Sequence, residues 1–273
     1  MEYETLRTRS EGAIGRLTLA RPDRLNAIGL SMMREIRAAA QAFDAQPQVR
    51  VVVVEGEGRS FCAGADLKDS PVAEATPREG GPSWAERREV GQMGLRMADA
   101  LEGMRAVTIA RVHGHAVGGG LVLMAACDLR VVAEDTVLSI PEVDLGIPLA
   151  WGGIPRLVRE IGPALTKELV MTCRRFTPRE ARAAGFVNRV VAPERLDAEV
   201  DALAATLAAK PSVPVTITKE HVNAIARHNG EGSTAFADGD ALLASVFDPE
   251  SLEAARNYRK RALGGAGSQG ADD

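Results

Sequence analysis

The stretch Val112–Leu129, VHGHAVGGGLVLMAACDL, decides how this chain reads. Three successive glycines, Gly118–Gly120, stand at the mouth of an apolar, helix-like run. Glycine in a helix costs roughly 1 kcal/mol relative to alanine. A run of three therefore marks a backbone that something must approach closely. The segment before it, Ala106–Gly114 (AVTIARVHG), reads as a strand, and Arg130–Ile140 (RVVAEDTVLSI) reads as more strand. Strand, helix, strand in this order implies crossover connections and a parallel sheet.

Working outward, Val49–Gly58 (VRVVVVEGEG) holds a β-branched run ended by glycines. Its apolar residues are continuous rather than alternating, as in a strand buried on both faces. Tyr3–Pro22 alternates like two short strands around a turn at Ser10–Gly12. Ser31–Gln46 has Met32, Met33, Ile36, Ala39, Ala40 and Phe43 at helical spacing, with Ser31 as the expected N-cap. Asp69–Gly91 is rich in Pro, Gly and charge. It reads as a mobile loop leading into a helix from about Ala85. From Pro163 onward the character is helical, in amphipathic segments that need a partner surface, and the tail Gly264–Asp273 reads as disordered.

The 273 residues are 45% hydrophobic, enough for a substantial core, and the net charge of -4 comes without a basic block. A nucleic-acid partner is not indicated. Cys62, Cys127 and Cys173 are odd in number and far apart, as expected of reduced thiols in a cytoplasmic protein. No run approaches the ~18 apolar residues that span a membrane, and the first residues lack the apolar core of a signal peptide.

Two glycine-bearing turns carry the chemistry. Arg59–Ser70 (RSFCAGADLKDS) follows the buried strand, and its Ala63–Ala65 turn has almost no side chains. Gly118–Gly120 offers the same bare backbone at a helix N-terminus, where free amides favour negative charge. Each turn alone also reads as a tight strand-to-helix connection. Together they could aim two N–H donors at one oxygen, an oxyanion hole worth roughly 3–4 kcal/mol per donor. The candidate acid–base group is Glu142, in Leu138–Gly153 (LSIPEVDLGIPLAWGG), with no cation within several residues. Desolvation among Ile, Pro, Val and Leu would raise its pKa toward a useful range. Asp144 reads as a turn or capping residue.

Five segments resemble the crotonase superfamily, the enoyl-CoA hydratase/isomerase group. They are Arg21–Ile36, Val49–Lys68, Val112–Asp135, Ile140–Pro148 and Ala181–Val191, and the resemblance runs from about Leu6 to Arg261. It implies an α/β crotonase-like (ClpP/crotonase) spiral of strand–strand–helix turns with a helical C-terminal region. On that basis residues 1–200 form the core, 201–263 an oligomerisation and coenzyme A-covering region, and 264–273 the tail. It implies an acyl-CoA substrate, coenzyme A being part of the substrate with no separate cofactor or metal, and a homotrimer or homohexamer. It assigns the thioester oxygen to the backbone amides of Ala65 and Gly119, with Gly118 beside them. Leu25, Ala27, Ala63, Asp66, Leu67 and Lys68 fall where the family meets coenzyme A. Tyr258 and Arg261 fall where an aromatic residue and a lysine do.

One departure bears on the reaction. Hydratases of this family hold the attacking water with two glutamates. The second corresponds to Glu142, but the first corresponds to Val122. Dienoyl-CoA isomerases carry an aspartate at the position of Ala150. A lone glutamate beside an oxyanion hole matches the pattern of the enoyl-CoA isomerases that shift one double bond. The alternatives are an enoyl-CoA hydratase and, in another class, a non-catalytic acyl-CoA-binding protein.

Overall fold

A computed structural model describes residues 2–69, 81–228, 237–245 and 247–264 of the chain. Most of the loop read as mobile (70–80) and of the tail (265–273) lies outside the described residues.

The main sheet has the order β1-β2-β3-β4-β6-β8. Its strands are β1 (Leu6–Glu11), β2 (Ile14–Leu19), β3 (Val51–Gly56), β4 (Val107–Val112), β6 (Leu129–Ala133) and β8 (Arg189–Val191). The β1–β2 hairpin is antiparallel and every other pairing is parallel. Two further strands, β5 (His115–Val117) and β7 (Val137–Ser139), pair in parallel as a second small sheet. Single bridges extend it, Cys62 to Ala116 and Ile28 to Ala65. Strand β4 thus feeds β5 and then the helix Gly119–Ala125, β6 feeds β7, and β2 and β3 each lead through a single bridge toward a helix. This is the spiral of strand–strand–helix turns expected from the sequence.

The continuous valines of β3 are buried on both faces, as read. Val52 and Val54 enter a large core with the first helix, α1 (Leu30–Asp44). Val51 and Val53 face a second cluster with Ile109, Val131, Leu196, Val200 and Ala204. Helix α2 (Trp84–Gly91) starts one residue before the expected Ala85. Ser83 caps it in a reciprocal pair with Glu86. Helix α3 (Met93–Glu102) follows, and α4 (Gly119–Ala125) is the short, wholly buried helix that the glycines open.

Four readings need correction. Helix α1 is N-capped by Gly29, so Ser31 lies inside its first turn. The helix opened by the glycines ends at Ala125, and Leu129 already belongs to β6. The helical region begins at Gly153, not near Pro163: α5 (Gly153–Thr172) is interrupted at Gly162, whose φ of 73° places Pro163 at a fresh helical start. Helix α6 (Pro178–Ala183) is followed by a strand, because Arg189–Val191 closes the far edge of the sheet. That run is three residues long, too short for its periodicity to show.

Helix α7 (Leu196–Ala208) crosses residue 200, where the core was expected to end. Its Val200 and Ala204 cover the sheet. The elements after it are α8 (Ser212–His228), α9 (Asp238–Ser245) and α10 (Pro249–Gly264). Among the described residues, no helix is long and apolar enough to cross a membrane.

Ile109 on β4 is fully buried in the cluster that joins the sheet to α7. Replacing Ile109 by Ala should lower unfolding free energy by about 2–5 kcal/mol. Denaturant titration reads this as a lower midpoint at unchanged slope; a change below about 1 kcal/mol would mean that α7 is not docked there.

Candidate active site

Each of the three glycines has a different neighbour. Gly118, at φ 50°, is the N-cap of α4, and a Cβ there would overlap Oε1 of Glu142. A Cβ on Gly119 would overlap the indole of Trp151. On Gly120 it would lie 2.5 Å from the carbonyl oxygen of Cys62. The bare backbone therefore admits a carboxylate, an aromatic ring and a second strand of the fold at three consecutive positions.

The third of these contacts brings the two turns together. The Cys62 amide donates to His115 O and the Val117 amide donates to Cys62 O, which zips the Arg59–Ala65 turn to β5. Gly64 sits at φ 105°, and a Cβ built on it would be 2.9 Å from Val117 O and 3.8 Å from Gly119 N. Ile28 locks the turn from its other side, donating to Gly64 O and accepting from the Asp66 amide. Among the described residues, the Ala65 and Gly119 amides donate to no protein group. Both residues line one small cavity of about 40 Å³ with Val122, Glu142, Ile147, Leu149, Ala150, Trp151 and Leu242.

Glu142 is 8% exposed, and its Oε2 has no hydrogen-bond partner. Burial pushes its carboxyl up to about 7, and a bond from its own amide offsets this only in part. The sequence expectation of a desolvated carboxylate therefore matches the geometry. Val122 and Ala150 line the same cavity, so both positions where a second acid would stand are apolar. Asp144 is exposed, as a turn residue would be. Such a site can hold negative charge on an oxygen between two amides and move a proton beside it.

The other expected contact residues fall into two groups. Leu25, Ala27, Ala63, Asp66, Leu67 and Lys68 are gathered at one edge of the turn, where the Ala63 amide donates to Leu25 O and Arg21 donates to Ala27 O. Asp66 pairs with Arg21 at 2.9 Å and accepts from the Lys68 amide. Burial raises the Asp66 carboxyl, but these two partners outweigh it and hold it below its ordinary value. Tyr258 is half-buried and Arg261 exposed, both on α10. No hydrogen bond or ion pair among the described residues joins them to that edge.

Sequence reading missed Asn26 and Trp151. Asn26 is fully buried at φ 56°; its amide donates to Glu57 O and Ser60 O, and its Oδ1 accepts from the Arg21 amide. It ties the Leu25–Ala27 segment to the end of β3. An asparagine tolerates this left-handed backbone, but only the fold shows which one uses it. A larger cavity of about 520 Å³ lies under α8, away from these amides, and its Arg159 and Lys219 are already paired with Glu102 and Asp128.

The family model for enoyl-CoA hydratase/isomerase matches residues 9–259. The chain is 36% identical over 229 residues to a probable enoyl-CoA hydratase of Rhizobium meliloti, covering 82% of each. It is 35% identical over 221 residues to a peroxisomal Delta(3,5)-Delta(2,4)-dienoyl-CoA isomerase of Arabidopsis thaliana, covering 79% of each. Its fold matches the crystal structure of an enoyl-CoA hydratase/isomerase from Mycobacterium paratuberculosis. The TM-score is 0.83 at 26% identity, over 94% of this chain and 100% of that one. The chain belongs to the enoyl-CoA hydratase/isomerase family, in the crotonase superfamily, and has its fold.

Two predictions follow from the packing around Glu142. Gly118→Ala combines a strained φ with displacement of the carboxyl, so turnover should fall by about 10² or more with the fold retained. Activity near that of the wild type, with an unchanged circular dichroism spectrum, would contradict this. Glu142 also makes stability depend on pH. Its proton is held more tightly in the folded chain than in the unfolded one, so stability falls as pH rises from about 4.5 to about 7. Glu142→Gln should therefore gain up to about 3 kcal/mol on the wild type between pH 4 and pH 8. A gain independent of pH would refute the burial.

Proposed function

We propose that this chain shifts the double bond of an enoyl-CoA thioester, with Glu142 as its sole acid–base group. The amides of Ala65 and Gly119 bind the thioester oxygen. Glu142 takes a proton from C2 of a 3-enoyl thioester. The electron pair moves onto the oxygen as a dienolate, held by the two amides, and Glu142 returns the proton at C4. The product is the 2-enoyl thioester.

One observation carries the reading: the cavity holding both amides presents Glu142 and, where a second acid would stand, Val122 and Ala150. Proton return needs one carboxyl, whereas adding water needs a partner to orient it. A pKa near 7 lets one group act as base and then as acid at neutral pH. The intact amides and the buried glutamate, whose Oε2 has no partner, argue against a protein that only binds acyl-CoA.

The second reading is hydration of 2-enoyl-CoA. The names of the bacterial relatives favour it. Assay with 3-enoyl-CoA and 2-enoyl-CoA in parallel separates the two. We expect the double-bond shift to dominate and Glu142→Gln to lower kcat by about 10²–10⁴ with KM nearly unchanged. Efficient hydration without any shift would overturn the single-glutamate reading.

Leu25, Ala27, Ala63, Asp66, Leu67 and Lys68 are proposed to meet coenzyme A, with Gly118 beside the thioester and Tyr258 and Arg261 approaching from α10. Coenzyme A enters as part of the substrate, and no separate cofactor is invoked. The free cysteines, Cys62 and Cys127 fully buried, support the cytoplasmic reading. Helix α8 leaves Val213, Ile217, Val222 and Ile225 uncovered, with Val213 65% exposed. Covering such a face supports a trimer or hexamer, in which the region after α7 serves assembly. Light scattering at micromolar concentration should give a mass three or six times that of the chain; a monomer would remove this proposal.

A further inference from the structure

Trp151 holds an unusual position. It is a bulky residue at φ 59°, in the left-handed region, and it is only 6% exposed. A backbone held there costs energy of order 1–3 kcal/mol and persists only where its surroundings over-determine it. Those surroundings are explicit. The next amide, Gly152 N, donates to Asp238 Oδ2 at 2.6 Å, so α9 clamps the turn. Arg156 donates to Trp151 O and Gly152 O from the other side. Arg156 is itself fixed by Asp99 at 2.8 Å and Glu102 at 2.5 Å.

The indole that this clamp presents fits between two glycines. A Cβ on Gly94 of α3 would overlap the pyrrole edge around Cδ1, and a Cβ on Gly119 would overlap the benzene edge at Cζ3. The ring therefore lies directly against the Gly119 turn and forms one wall of the cavity that also holds Ala65 and Glu142. Leu242, one turn along α9 from the clamping Asp238, forms another. The space left is about 40 Å³. Pockets for drug-sized ligands run to about 300–1,000 Å³. Only a few non-hydrogen atoms fit beside the Gly119 amide while the indole is in place.

We propose that Trp151 sets acyl-chain length, making this a site for short acyl-CoA thioesters of about four carbons. The inference rests on the reading that a thioester oxygen sits between the Ala65 and Gly119 amides. With the oxygen there, the acyl group extends into the cavity that the indole closes. Trp151 is a specificity-determining wall rather than an acid or base. Its strained backbone and the hydrogen bonds with Asp238 and Arg156 that hold it keep that wall from moving aside for a longer chain.

The chain has two tryptophans, and the other, Trp84, is exposed. A Trp84→Phe variant therefore reports on Trp151 alone. Titrating it with the unreactive thioester butyryl-CoA should change its fluorescence saturably. Octanoyl-CoA should bind at least tenfold more weakly by calorimetry. Trp151→Gly relieves the left-handed backbone while opening the wall. It should raise octanoyl-CoA affinity relative to butyryl-CoA at least tenfold, and shift the kcat/KM ratio of eight- to four-carbon 3-enoyl-CoA equally. If Trp151→Gly does not fold, Trp151→Leu carries the same test with a smaller shift in the same direction. A folded variant with an unchanged chain-length ratio overturns the inference, as does a wild type that prefers octanoyl-CoA. If short thioesters bind and perturb Trp151 but no enoyl-CoA of any length reacts, the catalytic reading fails and the wall stands.

Discussion

The structure depends on the close approach of three groups to one bare backbone. Gly118 admits the Glu142 carboxyl, Gly119 the Trp151 ring and Gly120 the Cys62 carbonyl. A side chain at any of the three would push one of these away. The last contact brings the Ala63–Ala65 turn beside the mouth of α4, so two free amides share one cavity. The first places a carboxyl beside it. Close approach outweighs the helix propensity that three glycines forgo, because α4 is wholly buried and held by packing.

The same approach sets the electrostatics. Glu142 is walled by apolar side chains, and no cation is near enough to figure among the causes of its shift. Desolvation then acts almost unopposed and brings the carboxyl toward neutrality. Asp66, only one residue from the Ala65 amide, shows the opposite balance, because Arg21 and the Lys68 amide hold it ionised. Two carboxyls near one amide pair are thus held in different states, Glu142 by burial and Asp66 by its partners. The one beside the cavity can exchange a proton near pH 7, and the one at the edge stays charged.

Much of this was legible in the sequence where one residue type had one physical use. Continuous valines at Val51–Val54 signalled a strand buried twice, and the glycine run signalled close approach before its visitors were known. An apolar setting around Glu142 signalled a raised pKa. What was hidden depends on tertiary contact. Trp151 reads as an ordinary core aromatic until Gly94 and Gly119, distant in sequence, are seen on either side of it. Asn26 reads as a turn residue until Glu57 and Ser60 supply its acceptors. The strand Arg189–Val191 is set by pairing with β6, not by its own pattern. The break in α5 falls at Gly162, and the helix before it starts at a left-handed Gly152 held by a residue 86 positions away.

In the proposed reaction one buried carboxyl carries a proton from C2 to C4 above an enolate held by two amides. Because Glu142 is almost closed to solvent, the hydrogen it removes should be returned before it exchanges. A 3-enoyl-CoA labelled with deuterium at C2, followed through a single turnover in ordinary water, tests this directly. The expected result is a 2-enoyl product with a measurable share of the label at C4, read by mass spectrometry or NMR. A product whose new C4 hydrogen comes entirely from water in the first turnover would contradict it.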